Sequence, residues 1–496
     1  MAREVIFGPA EGRVRALLLA TLALILIRGI VAGATPLSYD EAYYWLWSKH
    51  LAVGYYDHPP AIAYVIRTGT LLFGDTSLGV RFGSWLLSAA ASWAVWQAGG
   101  LILKSEYGAA LSALFFNLMP MVGVEALVAT PDAPEIAAAA FVLLALAKIA
   151  ETRNRLWWIA VGVAAGFALL SKYTAFFLGA GIVFWLVIVP KERRWLLSVW
   201  PYLGAAIALL MFGPTVLWNA EHNWISFAKQ FGRVEEGGFT LRFLGEFLGA
   251  QLVLATPFLA ILGTAGTILI LRSREMMRSE LALLFAMIAP AVVYFVWHSL
   301  HDRVQGNWPS FLYPVFAIAA AVAWLHVKQT KATAVLRISQ LSAVPVAVAM
   351  MLILYAQALW TIIPGVRDPV SRLLAIGMDR VVVDIETQRA NTHAQGILTT
   401  SYALMGWLNF YMPSHPPVVQ VNERFRYLDE ATPRRSLFEG PLLYVTEVRN
   451  DQSALLAMRF AHVTPLTHIA RTRGGVRIDE YAVYSVSGLK GEPLAD

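Results

Sequence analysis

The sequence predicts an α-helical polytopic membrane protein that carries a small α/β domain at its C-terminus. The 496 residues are 57% hydrophobic and only 15% charged, with a mean hydropathy of +0.56, whereas a soluble domain has roughly 25% charged residues. The composition changes after Pro364, where Arg, Asp, Glu and Gln appear throughout and short β-type runs replace the long apolar ones. These two observations define the fold class that we expect.

Eleven apolar runs predict membrane-spanning helices. The runs cover residues 14–33, 81–101, 108–128, 135–150, 156–171, 174–189, 195–217, 246–271, 280–298, 309–326 and 338–362. The loops between them alternate between two classes, one short and basic and the other acidic and aromatic. The positive-inside rule places the basic class in the cytoplasm, so we expect a cytoplasmic N-terminus and an external C-terminus.

The first external loop, residues 34–80, is predicted to hold two helices at the membrane surface. Glu41 to Leu51 places Trp and Tyr side chains along one face, which suits the interface between lipid and water. Pro59-Pro60 ends this helix, and Ala61 to Phe73 forms the second. A further long external loop covers 218–245.

The domain boundary is predicted at the change in composition, with a membrane domain over 1–363 and a soluble α/β domain over 364–496. A helix is expected over Tyr402 to Tyr411, because its run is apolar and Pro413 ends it. The expected strands are Val381–Val383, Gly396–Ser401, Val418–Val421, Leu442–Val445 and Val476–Ser485.

The composition also excludes several functions. The chain has no Cys, which excludes disulfides, thiolate chemistry and Cys-based metal sites. The net charge of +6 resides in short loops between apolar runs, so the charge is explained by membrane orientation and we expect no nucleic-acid partner.

Asp40 is the principal candidate for catalysis. It lies just after the first apolar run, in Ser38-Tyr39-Asp40-Glu41, and a carboxylate beside a membrane span indicates function because it is costly to bury. The carboxylate could accept the proton of an attacking hydroxyl group. The alternative is that Asp40 caps the helix that follows. For Glu41, the alternative to catalysis is a favourable charge in the first helical turn.

Six motifs occur in the order found in a known family: Tyr39-Asp40-Glu41-Ala42-Tyr43-Tyr44, Tyr56-Asp57-His58-Pro59-Pro60, Phe73-Gly74-Asp75 with Gly79-Val80-Arg81, Ala129-Thr130-Pro131-Asp132-Ala133-Pro134, Ser171-Lys172-Tyr173-Thr174 and Asn307-Trp308-Pro309. Together they resemble the GT-C glycosyltransferases of the protein O-mannosyltransferase and aminoarabinose transferase superfamily, over about residues 14–326. The resemblance implies the GT-C fold and transfer, with inversion, of a hexosyl or pentosyl group from a polyprenyl-phosphate sugar to an acceptor outside the cytoplasm.

The resemblance also implies roles for individual residues. Asp40 matches the carboxylate of the first external loop that acts as base, and Asp132 matches the acid of the second loop. Lys172 matches a cation that holds the donor phosphate. Aminoarabinose transferases carry Glu-Lys at the position of Asp57-His58, so His58 would be a weaker, pH-dependent phosphate contact.

Other polar residues of the external loops are candidates on chemical grounds. Arg303 could clamp a phosphate. A structural alternative stands beside each candidate: Asp132 could cap a helix, Lys172 could extend to the lipid headgroups, and the aromatic residues could anchor the interface. The candidates for substrate binding are Tyr39, Tyr56, Asp57, Tyr173, Asn219, His222, Asn307 and Trp308.

We therefore predict an enzyme of the bacterial inner membrane with an external C-terminal domain. Its partners would be a polyprenyl-phosphate sugar, membrane lipids and an acceptor such as lipid A, the lipopolysaccharide core or another glycolipid. A protein acceptor, a lipid transporter and a non-catalytic scaffold are the alternatives. No cofactor is required by the sequence, although Asp57 and His58 could contribute to a divalent metal site.

Overall fold

The computed structural model describes residues 9–232, 238–329, 333–360, 362–363 and 368–494. Four features of the sequence lie outside these ranges: Arg3 and Lys331 of the basic segments expected in the cytoplasm, the middle of the 218–245 loop, and the composition boundary at Pro364. The helices, in chain order, are α1 (Pro9–Ala34), α2 (Tyr39–Lys49), α3 (Ala61–Phe73), α4 (Ser77–Leu103), α5 (Glu106–Leu118), α6 (Pro120–Glu125), α7 (Asp132–Thr152), α8 (Trp157–Ser171), α9 (Phe176–Ile188), α10 (Val199–Glu221), α11 (Ile225–Phe231), α12 (Arg242–Leu254), α13 (Pro257–Arg272), α14 (Arg274–Met277), α15 (Ala282–Ser299), α16 (Tyr313–Gln329), α17 (Ala334–Trp360), α18 (Pro369–Leu373), α19 (Met378–Asn391), α20 (Tyr402–Tyr411), α21 (Ser436–Glu439) and α22 (Ser453–Arg459).

The apolar runs form helices at all eleven predicted positions. Within the described residues, seven helices are long and apolar enough to cross a membrane, or eight if α12 and α13 count as one span. Those two helices meet at an angle of 105°, where Thr256 has φ +63° and Pro257 begins α13. Pro120 likewise divides the predicted span 108–128 into α5 and α6, because proline cannot donate a helical hydrogen bond. The helical membrane fold is confirmed, while the count of eleven spans stays a prediction.

Loops of the same predicted class contact each other. At the ends of the basic class, Lys104 forms an ion pair with Glu151. Lys191 forms another with Glu280, the first residue of the predicted span 280–298. In the acidic and aromatic class, Lys172 forms an ion pair with Asp132. Both sets of contacts follow from the alternation seen in the sequence, because successive spans bring every second loop to the same end of a bundle.

The chain divides into two compact units. The bundle unit contains Met1–Ala32, His58–Ile62 and Arg81–Ile353, and the loop–sheet unit contains Gly33–Asp57, Ala63–Val80 and Leu354–Asp496. Part of the first external loop thus belongs to the same compact unit as the C-terminal domain. The predicted division at 363/364 stays a prediction for the domains.

The core of the bundle unit is built largely from small and aliphatic side chains. Helix α7 is the most enclosed of the candidate spans, because 89% of the residues in its most apolar stretch are buried. The glycines of α8 and α10 allow close helix contact: a Cβ on Gly162 would lie 2.5 Å from the carbonyl oxygen of Gly204. Small residues at helix interfaces are a usual feature of membrane bundles, where close packing drives association.

The C-terminal part of the loop–sheet unit contains a five-stranded mixed sheet in the order β2-β1-β3-β5-β4. The strands are β1 (Ile397–Thr399), β2 (Val418–Gln420), β3 (Leu442–Glu447), β4 (Phe460–Arg473) and β5 (Val476–Leu489). β1 pairs in parallel with β2 and β3, whereas β5 pairs antiparallel with β3 and β4. The small α/β domain and its helix α20 agree with the sequence prediction.

Two assignments in this domain differ from the sequence prediction. The run Val381–Val383 lies inside helix α19 and is not a strand. Val381 and Val382 are buried with Ile385, while Val383 is 55% exposed, which is a helical pattern. Strand β4 was not predicted, because it is an edge strand with mixed polarity and an internal Pro465.

Candidate functional site

The first turn of α2 presents Asp40 on the loop–sheet unit. Ser38 is the N-cap: its hydroxyl accepts from the backbone of Glu41, and the Glu41 carboxylate accepts from the backbone of Ser38 at 2.8 Å. This reciprocal pair is a capping box. Ser38 and Glu41 are both fully buried, so Glu41 contributes to the cap of α2, and its catalytic role stays a prediction. Because Ser38 caps the helix, the cap proposed for Asp40 is wrong.

Asp40 is half-buried, whereas the following residues of α2 up to Ser48 are buried. The Tyr402 hydroxyl donates to Asp40 Oδ1 at 3.4 Å. Burial and the nearby charge of Asp40 raise the pKa of Tyr402, so this phenol keeps its proton and remains a donor. Asp40 is also in the first turn of a helix, where the backbone dipole stabilises a negative charge.

Aromatic rings of α20 surround this turn. Tyr39 contacts Tyr402 and Trp407 edge-to-face, with ring centroids 6.0 and 6.1 Å apart. Gly406 permits the approach of the two helices, since a Cβ at this position would lie 2.9 Å from the backbone of Ala42 and Tyr43. The aromatic surroundings therefore fix the position of Asp40 and leave its carboxylate partly accessible.

Asp57 forms an ion pair with Arg426 of the C-terminal domain. Arg426 Nη1 lies 2.8 Å from Oδ2 and 3.1 Å from Oδ1 of the carboxylate, and the Tyr43 hydroxyl donates to Oδ2 at 2.8 Å. The guanidinium group also packs over Tyr402, 4.8 Å from the ring centroid, and over Tyr56 at 5.4 Å. Asp57 and Tyr56 thus have structural partners near the base candidate.

Both carboxylate oxygens of Asp57 take part in these bonds, and a metal site shared with His58 stays a prediction. His58 belongs to the bundle unit and is half-buried. Within the described residues, no group of three or more His, Asp or Glu side chains could hold a metal ion.

A second polar cluster lies in the bundle unit around Asp132. Lys172 Nζ and Ser310 Oγ both donate to Oδ1 at 2.7 Å, and Asn307 Nδ2 donates to Oδ2 at 3.0 Å. The side chains of Lys172 and Asp132 are only 7% and 3% exposed. Three residues selected from the sequence, Asp132, Lys172 and Asn307, thus meet, and Ser310 joins them.

Glu135 extends this cluster along α7. It is fully buried and accepts hydrogen bonds from Thr174 at 2.5 Å and from Ser310 at 3.3 Å. One lysine therefore lies among two acidic side chains, and the hydroxyl groups of Ser310 and Thr174 complete their hydrogen bonding. A buried ion pair requires such additional donors, because the desolvation of its charges is costly.

Arg303 lies apart from this cluster. It forms an ion pair with Glu246 at 2.9 Å, and its side chain is 64% exposed. Arg242 shares the same carboxylate at 3.0 Å. Exposed pairs of this kind contribute little to stability, so Arg303 can exchange Glu246 for another anion.

The remaining substrate-binding candidates have structural contacts. Asn219 is fully buried, and its oxygen accepts from the backbone of Phe227 at 3.3 Å. His222 stacks on Trp218 with ring centroids 4.2 Å apart. The Tyr173 hydroxyl bonds to Ser226 at 2.8 Å. Trp308 packs beside His298, 5.7 Å between centroids. Direct contact with substrate stays a prediction for all of them.

Sequence reasoning missed several residues of these clusters. Arg426 and Tyr402 lie in the weakly matched C-terminal part, and no motif connects Arg426 to Asp57 across 369 positions. Glu135 and Ser310 each lie beside a motif that was recognised. Glu135 could have been identified from the sequence, because an acidic residue within an apolar span indicates function and Glu135 is one helical turn after Asp132.

Comparisons with known proteins agree with this architecture. The family model described as dolichyl-phosphate-mannose-protein mannosyltransferase matches residues 57–218. Among curated proteins, the chain is similar to the lipid A galacturonosyltransferase RgtD of Rhizobium johnstonii (strain DSM 114642 / LMG 32736 / 3841), with 27% identity over 313 residues. The match covers 62% of this chain and 65% of that protein, which is less than two thirds of the relative.

Solved structures share the fold. ArnT from Cupriavidus metallidurans bound to undecaprenyl phosphate aligns with a TM-score of 0.63 at 18% identity, over 96% of this chain and 99% of that one. The archaeal oligosaccharyltransferase AglB from Archaeoglobus fulgidus, in complex with an inhibitory peptide and a dolichol-phosphate, aligns with a TM-score of 0.51 at 13% identity, over 88% and 70%. At 18% and 13% identity these structures show the fold alone.

Proposed function

Because this chain is a multi-span membrane protein with the GT-C glycosyltransferase fold, we propose that it transfers a sugar from a polyprenyl-phosphate donor to lipid A or another glycolipid of the cell envelope. The similarity to a lipid A galacturonosyltransferase supports this acceptor. The same relative makes a hexuronic acid the first donor sugar to test. A protein acceptor is the alternative, which the description of the family model favours.

The observation that carries the proposal is the placement of Asp40. Its half-buried carboxylate stands at the N-terminus of α2, next to the Tyr402 hydroxyl and within an aromatic wall. An acceptor hydroxyl that attacks the anomeric carbon must lose its proton, and Asp40 would accept it. A carboxylate here would also stabilise the positive charge that develops on the sugar. If the acceptor group is a phosphate, no base is needed and Asp40 acts through its charge.

The donor phosphate needs a cation, because negative charge develops on the leaving oxygen in the transition state. We assign this role to Arg303, whose side chain is exposed and held by an exchangeable surface pair. Lys172 is buried against Asp132. In our proposal it therefore stabilises Asp132 and does not contact the donor phosphate. His58 remains a candidate for a second phosphate contact.

The orientation follows from the loop charges. We propose that the basic loops lie in the cytoplasm of a bacterial cell and that the C-terminal domain is periplasmic. The donor would then enter the site from the outer leaflet of the inner membrane, where its polyprenyl chain stays in the bilayer.

The experiment compares lipid A, core and glycolipid fractions by mass spectrometry in a deletion strain that carries the wild-type gene, Asp40→Asn or no gene. Asp384→Asn is the matched control, since Asp384 is an exposed carboxylate on α19. We expect a species one sugar lighter in the deletion strain and with Asp40→Asn, and restoration by the wild type and Asp384→Asn. Full restoration by Asp40→Asn would contradict the role of Asp40.

Purified protein in nanodiscs tests the same step directly. With a polyprenyl-phosphate sugar and lipid A, we expect Asp40→Asn to lower kcat by about 10²- to 10⁴-fold, the usual contribution of general base catalysis. Unchanged glycolipids in every strain, together with no transfer by the purified protein, would reject the proposed acceptor and favour a protein acceptor or transport.

A further inference from the structure

The loop–sheet unit contains a cavity that the proposed reaction does not use. Its volume is about 660 Å³, within the range of small-molecule sites. Its lining comes from the C-terminal half of α2, the turn after α3, the end of α20 and the segment that follows α20. Its lining consists of Trp45, Lys49, Asp75, Phe410, Tyr411, Met412, Pro413 and His415.

One wall of the cavity is polar. Asp75 Oδ1 accepts from Trp45 Nε1 at 2.8 Å and from Lys49 Nζ at 2.6 Å. Within the described residues no group donates to Oδ2, and the Asp75 side chain is 47% exposed. Burial opposes ionisation, but the hydrogen bonds from Lys49 and Trp45 dominate and lower the pKa of Asp75. An ionised oxygen is thus available to a ligand hydroxyl, and Lys49 balances its charge.

Another part of the lining is aromatic. Phe410 and Tyr411 are half-buried and form an edge-to-face pair, with ring centroids 4.8 Å apart. Phe410 also packs against Trp45 at 5.0 Å, next to the polar residues. A pyranose ring has apolar C–H faces and a rim of hydroxyl groups. A lining that combines aromatic rings, a carboxylate and the His415 imidazole offers partners for both.

The chain next to the cavity indicates that the ligand is a lipid. The last three residues of α3, Leu71, Leu72 and Phe73, are 69%, 64% and 42% exposed, and Asp75 follows two positions later. Exposed apolar side chains at the end of an amphipathic helix are suited to the membrane surface. A sugar bound at Asp75 would therefore be the headgroup of a membrane lipid.

Helix α2 connects the cavity with the base candidate. Asp40 lies in its first turn and Lys49 ends it, nine residues and about 13 Å apart along the axis at 1.5 Å per residue, and on opposite sides of the helix at 3.6 residues per turn. We propose that the cavity binds the saccharide headgroup of the acceptor glycolipid, at a sugar remote from the one that receives the transfer. This inference rests on the proposed function, and it assigns to α2 both the chemistry and part of the acceptor specificity.

The test compares two acceptors in nanodiscs, lipid A that carries core saccharide and lipid A alone. For Phe410→Ala and Asp75→Asn we expect the KM for the core-bearing lipid A to rise about three- to tenfold, the size of one lost aromatic contact. The kcat, the KM of the donor and the KM of lipid A alone should stay unchanged. Asp384→Asn is the control.

A second measurement needs no turnover. Core-bearing lipid A without donor should protect the backbone amides of residues 410–415 from hydrogen–deuterium exchange, and Phe410→Ala should remove this protection. Protection without any transfer would contradict the proposed reaction and leave the saccharide site standing. Transfer without protection, an unchanged KM, or an equal KM change for both acceptors would overturn the saccharide site.

Discussion

At the scale of single residues, the two aspartates identified in the sequence have different surroundings. Asp40 is half-buried, and the Tyr402 hydroxyl donates a long hydrogen bond to its carboxylate. Asp132 is 2% exposed and accepts from Lys172, Ser310 and Asn307. The accessible carboxylate is suited to act on a substrate, whereas the enclosed one organises the residues around it.

The ion pair of Lys172 and Asp132 gives a prediction about stability. Lys172→Met leaves a buried carboxylate without its cation, which should lower the free energy of unfolding by about 3–5 kcal/mol. Adding Asp132→Leu removes the carboxylate to which Lys172 donates, so the double variant should regain part of this loss. The measurement is the Tm of purified protein in one detergent, with Lys490→Met as a control at an exposed position. An unchanged Tm with a raised donor KM would instead identify Lys172 as a phosphate contact.

The sequence allowed the prediction of residues that lie in local motifs, and it missed their distant partners. Asp132, Lys172 and Asn307 were selected from three separate loops, and the structure brings them together. Arg426 was missed because neither burial nor pairing is visible in a soluble segment rich in charge. The contact with Asp57 depends on the tertiary fold, and local patterns carry no information about it.

At the scale of secondary structure elements, the capping box of α2 holds the base candidate in the first helical turn. Ser38→Ala removes one half of this box and should cost about 0.5–2 kcal/mol of stability. Because Asp40 is two positions away, activity should fall as well. Ser105→Ala is a matched control, since Ser105 caps α5 through the backbone of Gly108. The control should lower the Tm similarly and preserve kcat. An equal loss of kcat in both variants would contradict a local role for Ser38.

The segment that carries Arg426 should respond to pH. Burial, offset in part by Arg424, raises the pKa of Glu430 to about 7, above the value of about 4.3 for an unfolded chain. The folded state therefore binds a proton between these values that the unfolded state has lost. This contribution to stability is full below about pH 4 and is lost as the pH rises through 7.

We therefore expect the Tm of the wild type to decrease between pH 5 and pH 8 by more than that of Glu430→Gln. Glutamine keeps the shape of the side chain and does not titrate. Parallel curves for the two proteins would show that Glu430 has no part in the pH dependence.

Element prediction succeeded where one physical signal dominates. Long apolar runs determined the positions of the helices, and Pro120 and Pro257 explain why two runs are interrupted. Short apolar runs are ambiguous: the three valines at 381–383 suit a strand by propensity, but the spacing of buried side chains makes them helical. Strand β4 forms because β5 offers an antiparallel partner, and this depends on pairing across a turn.

At the scale of the whole molecule, residues 33–57 and 63–80, which include most of the predicted first external loop, belong to the same compact unit as the C-terminal domain. Gly406→Ala tests the packing within that unit, since a Cβ would meet the backbone of Ala42 and Tyr43 at 2.9 Å. We expect α2 to shift and kcat to decrease at least tenfold, while the Tm changes little. Gly179→Ala is the control, because a Cβ there has no neighbour within 4 Å. Normal turnover by Gly406→Ala would show that α2 tolerates displacement.

The contact between the first loop and α20 has a consequence for biosynthesis. The backbone of Leu37 donates to the Tyr411 hydroxyl, 374 positions later in the chain. At roughly 5–20 residues per second, the ribosome needs about 20 to 75 s to make the second partner after the first. During this interval Asp40 lacks the surfaces that position it. In the proposed mechanism, a nascent chain that has inserted its membrane helices is therefore inactive until the C-terminal domain has been made and folded.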